Sequence, residues 1–411
     1  MASYLGPIKT AVFIFPFLAA LLSLPFAVLQ YRRYGSVLWS RTIVLFSFVF
    51  YMLCAYFLII LPLPSIHAVA ALQTPRYNIV PFTFVREFVK YSGFELGNYH
   101  TWIQTLKQPS FLQPAFNLML TVPFGFYMRY YFRRPWWQAV LLTFGLSLFY
   151  ELTQLSGLYF IYPRPYRLFD VDDLFINTTG GLIGFWLTPL IAVAFPSRAK
   201  MDERSYARAD RVGPLRRLVA WVIDYVIIAG LFGVLISIVL QLTVFKSLAD
   251  NWFITSLLPM VCVLYLVPLG LHGQTWGKKL LRIRIVAVDG QPLTWWRLAL
   301  RQGLLYVVTL PLFGVWFDEL NNVLVHIGAR TQLNLLALGL LSAFVLFVVW
   351  NFFWQIVRRR ERLFYEAWSG TEQVAIRPDA KVEGTPKPSN TEPTGQTVDK
   401  LDNPDDKQTA K

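Results

Sequence analysis

Ionised and amide side chains interrupt several long apolar runs in this chain. A charge set in hydrocarbon needs a partner or a cavity. In the first half, Glu151 and Gln154 stand three apart, on one face of a helix, near one end of an apolar run. Asn117 lies within another run. The segment Arg164-Pro-Tyr-Arg167-Leu-Phe-Asp170-Val-Asp172-Asp173 leads directly into a run that opens with Asn177. Glu151 and this acidic segment therefore fall at the same depth, and a cavity edged by Glu151, Asp170, Asp172, Asp173, Arg164 and Arg167 is expected. It would take a polar or cationic ligand, an ion or a metal. The same residues could instead form a buried ion-pair network that locks helices together. Three close carboxylates can hold a divalent cation through oxygen, and no other cofactor is implied. No histidine stands near them, which argues against a zinc hydrolase.

In the second half, Arg217 and Asp224 lie seven apart, two turns along one helix face, with Asp224 set among Trp221, Val222, Ile223 and Tyr225. Arg217 or Arg301 is the expected partner of Asp224. The pair could couple a proton or cation to transport, or be a fixed ion pair. Gly273-Gln-Thr275-Trp-Gly277-Lys278-Lys279 is not a phosphate loop: it has three residues between the glycines rather than four, and Lys279 where Ser or Thr belongs. Leu281-Arg-Ile-Arg-Ile-Val286 alternates apolar and basic residues before an Asp289-Gly290 turn, which predicts a short hairpin or interfacial segment against anionic lipid. Gly180, Gly181 and Gly184 offer a small-residue face for close helix packing.

The elements that carry these residues are membrane helices. The chain is 55% hydrophobic and 15% charged, where a soluble domain carries roughly a quarter charged residues. Nine apolar runs, at 10–30, 42–62, 111–128, 136–157, 174–195, 218–243, 252–271, 302–317 and 334–357, approach or exceed the ~20 residues that span a bilayer. The runs at 111–128 and 302–317 contain proline and could be tilted, kinked or re-entrant. With the N-terminus outside and every run crossing, the cytoplasmic loops hold 23 Lys and Arg against nine outside, as the positive-inside rule requires. Nine crossings fit this count, or eight if one run lies in the interface. The fold class is an all-α polytopic transmembrane bundle, with its C-terminus cytoplasmic.

The net charge of +14 sits in juxtamembrane clusters, so the bilayer is the partner and no nucleic acid is expected. The two cysteines, Cys54 and Cys262, lie inside apolar runs, where small buried hydrophobes are common. No cleavable signal peptide is evident. Residues 63–110 are too polar to span and carry a short amphipathic helix at 82–91. The chain divides into membrane domains at 1–196 and 216–375, a charged linker at 197–215, and a tail at 376–411 too polar to fold.

Asn78-Ile-Val-Pro81-Phe82, Asn117 with Pro123-Phe-Gly125, Glu151-Leu-Thr-Gln154 and Asp170-Val-Asp-Asp173 running into Asn177-Thr-Thr-Gly180 resemble the VanZ-like family, in order and spacing, over residues 10–195. Residues 213–375 resemble the RDD family. The matching pieces are Arg217-x-x-Ala220 with Ile223-Asp224, Gly273-x-Thr275-x-Gly277-Lys278, Arg301, and Leu363-Phe-Tyr-Glu366 with Ser369-Gly370-Thr371. Where that family usually has a His-Asp pair, this chain has Tyr365-Glu366. The resemblance implies a bacterial cytoplasmic membrane protein of the cell envelope. VanZ-like proteins are associated with low-level resistance to teicoplanin-type antibiotics, and transport has been suggested for RDD proteins. The expected function is therefore non-enzymatic binding of a glycopeptide, a lipid or a cell-wall precursor, with transport as the alternative. A metal-dependent hydrolase lacks a visible activated nucleophile.

Overall fold

The apolar runs become helical rods in the computed structural model, which describes residues 2–94, 97–325, 332–358 and 362–376. The tail expected at 376–411 lies outside them except for Ile376. The first half comprises α1 (Ala2–Tyr34), α2 (Trp39–Ile60), α3 (Ile66–Ala70), α4 (Thr83–Tyr91), α5 (Tyr99–Leu106), α6 (Pro109–Tyr130), α7 (Trp136–Leu155), α8 (Gly157–Phe160) and α9 (Val171–Ile191). After α10 (Arg198–Tyr206), the second half comprises α11 (Pro214–Gln241), α12 (Phe253–Gly270), α13 (Trp276–Leu280), α14 (Trp295–Asn322), α15 (Gln332–Arg358) and α16 (Phe364–Trp368).

Nine long rods thus stand among the described residues, one for each apolar run. Seven of them, all except α6 and α7, are apolar and long enough to cross a membrane. The 22 residues of α6 and the 20 of α7 have the length; Asn117, Glu151 and Gln154 dilute their apolarity. Both pack against α9, which shields those polar groups from lipid. Pro114 and Pro123 lie inside α6 and Pro311 inside α14, and each rod runs on through its prolines.

The α6–α9 contact depends on glycine. A Cβ on Gly125 would lie 1.8 Å from the Gly181 carbonyl oxygen, and one on Gly184 would lie 1.9 Å from that of Val122. Removing these side chains lets two backbones touch, as the small-residue face of α9 predicted.

The loops after the first, third, fifth and seventh rods gather at one end of the bundle. Ser36 Oγ donates to the Ser205 carbonyl at 2.7 Å, and Arg198 Nη1 to that of Tyr131 at 2.6 Å. Arg216 donates to the Leu281 carbonyl at 2.7 and 2.9 Å. Among the described residues, the basic clusters of those first four loops therefore share one face. At the opposite end, β1 (Tyr77–Asn78) pairs in parallel with β2 (Phe169–Asp170), and Tyr162 donates to the Pro64 carbonyl at 2.8 Å. The amphipathic helix expected at 82–91 is α4.

The alternating segment at 281–286 does not form a local hairpin. It becomes β3 (Ile283–Ala287), which pairs antiparallel with β4 (Thr371–Ala375), the strand beyond the last rod. Ile283 and Ile285 are buried on its inner face while Arg284 points outward, so the period-two pattern was read correctly but its partner was remote.

Candidate functional site

At the end opposite the basic loops, α2, α6, α7 and the start of α9 enclose a cavity of about 680 Å³. Glu151, near the end of α7, is buried, and its Oε2 accepts the Asp170 backbone N–H at 2.9 Å. Asp170 caps α9 through the Asp172 N–H at 2.9 Å and takes the Asn78 amide at 3.2 Å, a contact set by the β1–β2 pairing. Burial raises its carboxyl above the usual aspartate range. One turn deeper, Asp173 Oδ1 accepts from Asn117 Nδ2 at 2.6 Å. Ser147 receives the Asn177 amide at 2.8 Å, and Thr121 donates to the Asn177 carbonyl at 2.6 Å. These bonds tie α6, α7 and α9 together and hold Glu151 and Asp173 at the cavity wall. Among the described residues, one oxygen of each carboxylate accepts no hydrogen bond, and neither does the buried Asn177 Oδ1; the Tyr150 hydroxyl is also unpartnered.

In the second half two buried clusters adjoin. Asp224 lies in a π-helical turn of α11, Val222–Ala229. One of its oxygens accepts from the Thr275 hydroxyl and the other from the Gly277 N–H at 2.6 Å, while Lys278 Nζ stands 3.7 Å away. Thr275 also caps α13, accepting the Lys278 N–H at 3.2 Å. A Cβ on Gly277 would lie 2.7 Å from the Ala220 carbonyl, so only glycine fits against α11 here. Lys278 lies below its ordinary pKa because burial outweighs Asp224. The second cluster centres on Glu366, which is fully buried at the start of α16. Arg217 Nη1 reaches its Oε2 at 2.5 Å and Arg301 Nη2 its Oε1 at 3.0 Å. Gln373 Nε2 and the Leu363 N–H complete four donors at 3.0 and 2.9 Å. Burial alone would raise the Glu366 carboxyl, but Arg301 and Arg217 together hold it below the usual range. Arg301 also donates to Thr371 at 3.1 Å, just past the turn that Gly370 makes at φ 62°.

Residues 48–192 match the model of the VanZ/LLP1 family, and residues 211–369 match that of the RDD family. The chain joins a VanZ-like domain to an RDD-family domain. Comparison with curated proteins and with solved structures returned no match. It is a multi-pass membrane protein.

The VanZ-like cavity is lined by Asn117, Glu151, Gln154, Arg167, Asp170, Asp173 and Asn177. Asp172 and Arg164 stand elsewhere. The Asp172 carboxylate accepts the Phe82 and Phe84 N–H groups at 2.6 and 3.0 Å and so caps α4. Arg164 donates to the carbonyls of Leu72 and Thr74. Although Glu151, Asp170 and Asp173 line the cavity, no group of three or more His, Cys, Asp or Glu side chains among the described residues is placed to hold a metal ion. Sequence reasoning missed Ser147 and Thr121, although each lies one helical turn from Glu151 or Asn117 on the same face.

The RDD half corrects the expected pairing. Neither Arg217 nor Arg301 binds Asp224; both bind Glu366, and Asp224 is held by Thr275, Gly277 and Lys278. Seven residues bring two side chains onto one face only in an uninterrupted α-helix. Two turns also set Asp224 about 10 Å along the axis from Arg217, and Glu366 and the Thr275–Lys278 segment supply the partners that reach each of them. Gln373, which no motif singled out, is the fourth donor to Glu366.

Proposed function

We propose that this chain is a non-enzymatic envelope protein whose VanZ-like half binds a polar, cation-bearing ligand in the cavity at Glu151 and Asp173. The observation that carries the reading is the set of polar groups on the cavity wall: the buried Asn177 Oδ1, which has no partner, beside Glu151 and Asp173, each of which uses one oxygen in a bond to its neighbours. Three carboxylates and one arginine, Arg167, line the space, so an ammonium group suits it better than an anion. About 680 Å³ lies within the roughly 300–1,000 Å³ of small-molecule sites. A drug-sized ligand fits whole, and a lipoglycopeptide, a lipid or a cell-wall precursor would enter only by its amine-bearing part.

Positive-inside charge puts the basic end in the cytoplasm, with the C-terminus, and the cavity on the outer face of a bacterial cytoplasmic membrane. The transport alternative rested on Asp224, whose two oxygens are already taken by Thr275 and Gly277, and no further observation favours it. Strains carrying Glu151→Gln or Asp173→Asn at equal expression should become more susceptible to a teicoplanin-type glycopeptide. Susceptibility unchanged in both variants would count against the reading.

A further inference from the structure

A second cavity, of about 910 Å³, opens in the RDD half between α11, α14 and α15. Trp221, Phe313, Val348 and Phe352 line its apolar body. At one end stand Arg208 and Arg211, both exposed, together with Arg217. That end belongs to the basic face, at headgroup depth. The buried clusters next to it hold three cations, Lys278, Arg217 and Arg301, against two carboxylates, Asp224 and Glu366. Pairing within the clusters therefore leaves positive charge over, and Arg208 and Arg211 add two charges to it against the one of Asp210 between them.

We propose that this crevice is a binding site for an anionic phospholipid, with the headgroup phosphate at Arg208 and Arg211 and an acyl chain along Trp221, Phe313 and Phe352. The apolar body alone would accept any lipid. The arginines supply the selection, because a zwitterionic headgroup cancels most of the attraction and an anionic one does not. Each basic residue near an anionic headgroup strengthens binding about five-fold, so the two exposed arginines together are worth about 25-fold.

The test uses the full chain in detergent, read by native mass spectrometry during titration with phosphatidylglycerol or phosphatidylcholine of identical acyl chains. The wild type should bind phosphatidylglycerol more tightly. The double variant Arg208→Gln/Arg211→Gln should weaken that binding about 25-fold and leave phosphatidylcholine unchanged. Arg133→Gln/Arg134→Gln, which removes two exposed arginines on the same face, should bind like the wild type. Equal affinity of the wild type for both lipids would overturn the proposal. So would an equal loss in the two double variants, glycerol phosphate binding as tightly as the lipid, or a dimer mass in place of bound lipid.

Discussion

Replacing Glu366 with glutamine tests whether the RDD core is held by its buried charge cluster. The carboxylate accepts four donors, two on each oxygen: Arg301 and Gln373 on Oε1, Arg217 and the Leu363 N–H on Oε2. Glutamine has nearly the same shape but keeps one acceptor, so its amide nitrogen must face a pair of donors. Arg301 is buried and would lose its counter-ion. Removing one partner of a buried ion pair costs about 3–5 kcal/mol. For a domain of the length matched here, that lowers the melting temperature by roughly 6–20 °C. Glu372→Gln is the control, because the Arg362–Glu372 pair is far more exposed and is worth about 1 kcal/mol or less. The pH dependence adds a second reading. Glu366 has a folded pKa below its unfolded value, so its stabilisation is present above about pH 4.5 and is lost as pH falls through the folded pKa. The gap between wild type and Glu366→Gln, measured by thermal unfolding in detergent, should therefore narrow on acidification. A variant that melts like Glu372→Gln at pH 7, or a gap constant from neutral to acid pH, would refute the reasoning.

Two further substitutions probe the VanZ-like half. Gly125→Ala places a Cβ 1.8 Å from a backbone oxygen of α9, whereas Gly145, on α7, has nothing within 4 Å. Thermal unfolding should show Gly125→Ala destabilised by about 1–3 kcal/mol and Gly145→Ala neutral or stabilised by up to about 1 kcal/mol; equal effects would mean that the close approach does not matter. Asp172→Ala removes the cap of α4 and leaves the cavity lining in place, so hydrogen exchange across 83–91 should quicken about 5–30-fold, the equivalent of about 1–2 kcal/mol. Unchanged exchange would remove Asp172 from that role.

What the sequence disclosed follows from the range of each interaction. All nine rods were legible because a membrane helix carries its own signal, a run of apolar residues bounded by charge. The glycines of α9 were legible because close approach needs a fixed local spacing. The division of labour between Asp172 and Asp173 was not: neighbouring helical residues point about 100° apart, and only the position of α4 decides which one faces the cavity. Asp224 was misassigned because its partners, Thr275 and Gly277, lie across α12 in the sequence, and β3 because its partner strand lies across two rods of sequence. Long-range pairing of this kind is carried by the fold as a whole, so no local pattern in the Leu281–Val286 segment could have named Thr371–Ala375.

The charged linker at 197–215 forms a packed joint between the halves. Within 197–215, α10 buries Met201 and Ser205, and its Asp202 pairs with Arg41 of α2. Arg216, at the head of α11, is fully buried. It donates to the carbonyls of Ala209, Leu281 and Arg282, and its guanidinium stacks 5.3 Å from the Tyr31 ring of α1. All of α1 precedes the match to the VanZ/LLP1 family, and its Tyr31 shares a core with Val219, Ile223, Leu281 and Ile283 of the RDD half. Five carbonyl hydrogen bonds and a ring satisfy Arg216 only while α1, the 207–213 turn and β3 stay together. Separating the halves would expose that core and strip a buried cation of its acceptors. The described residues accordingly form one compact unit, and the VanZ-like and RDD halves are held as a single body at their basic ends.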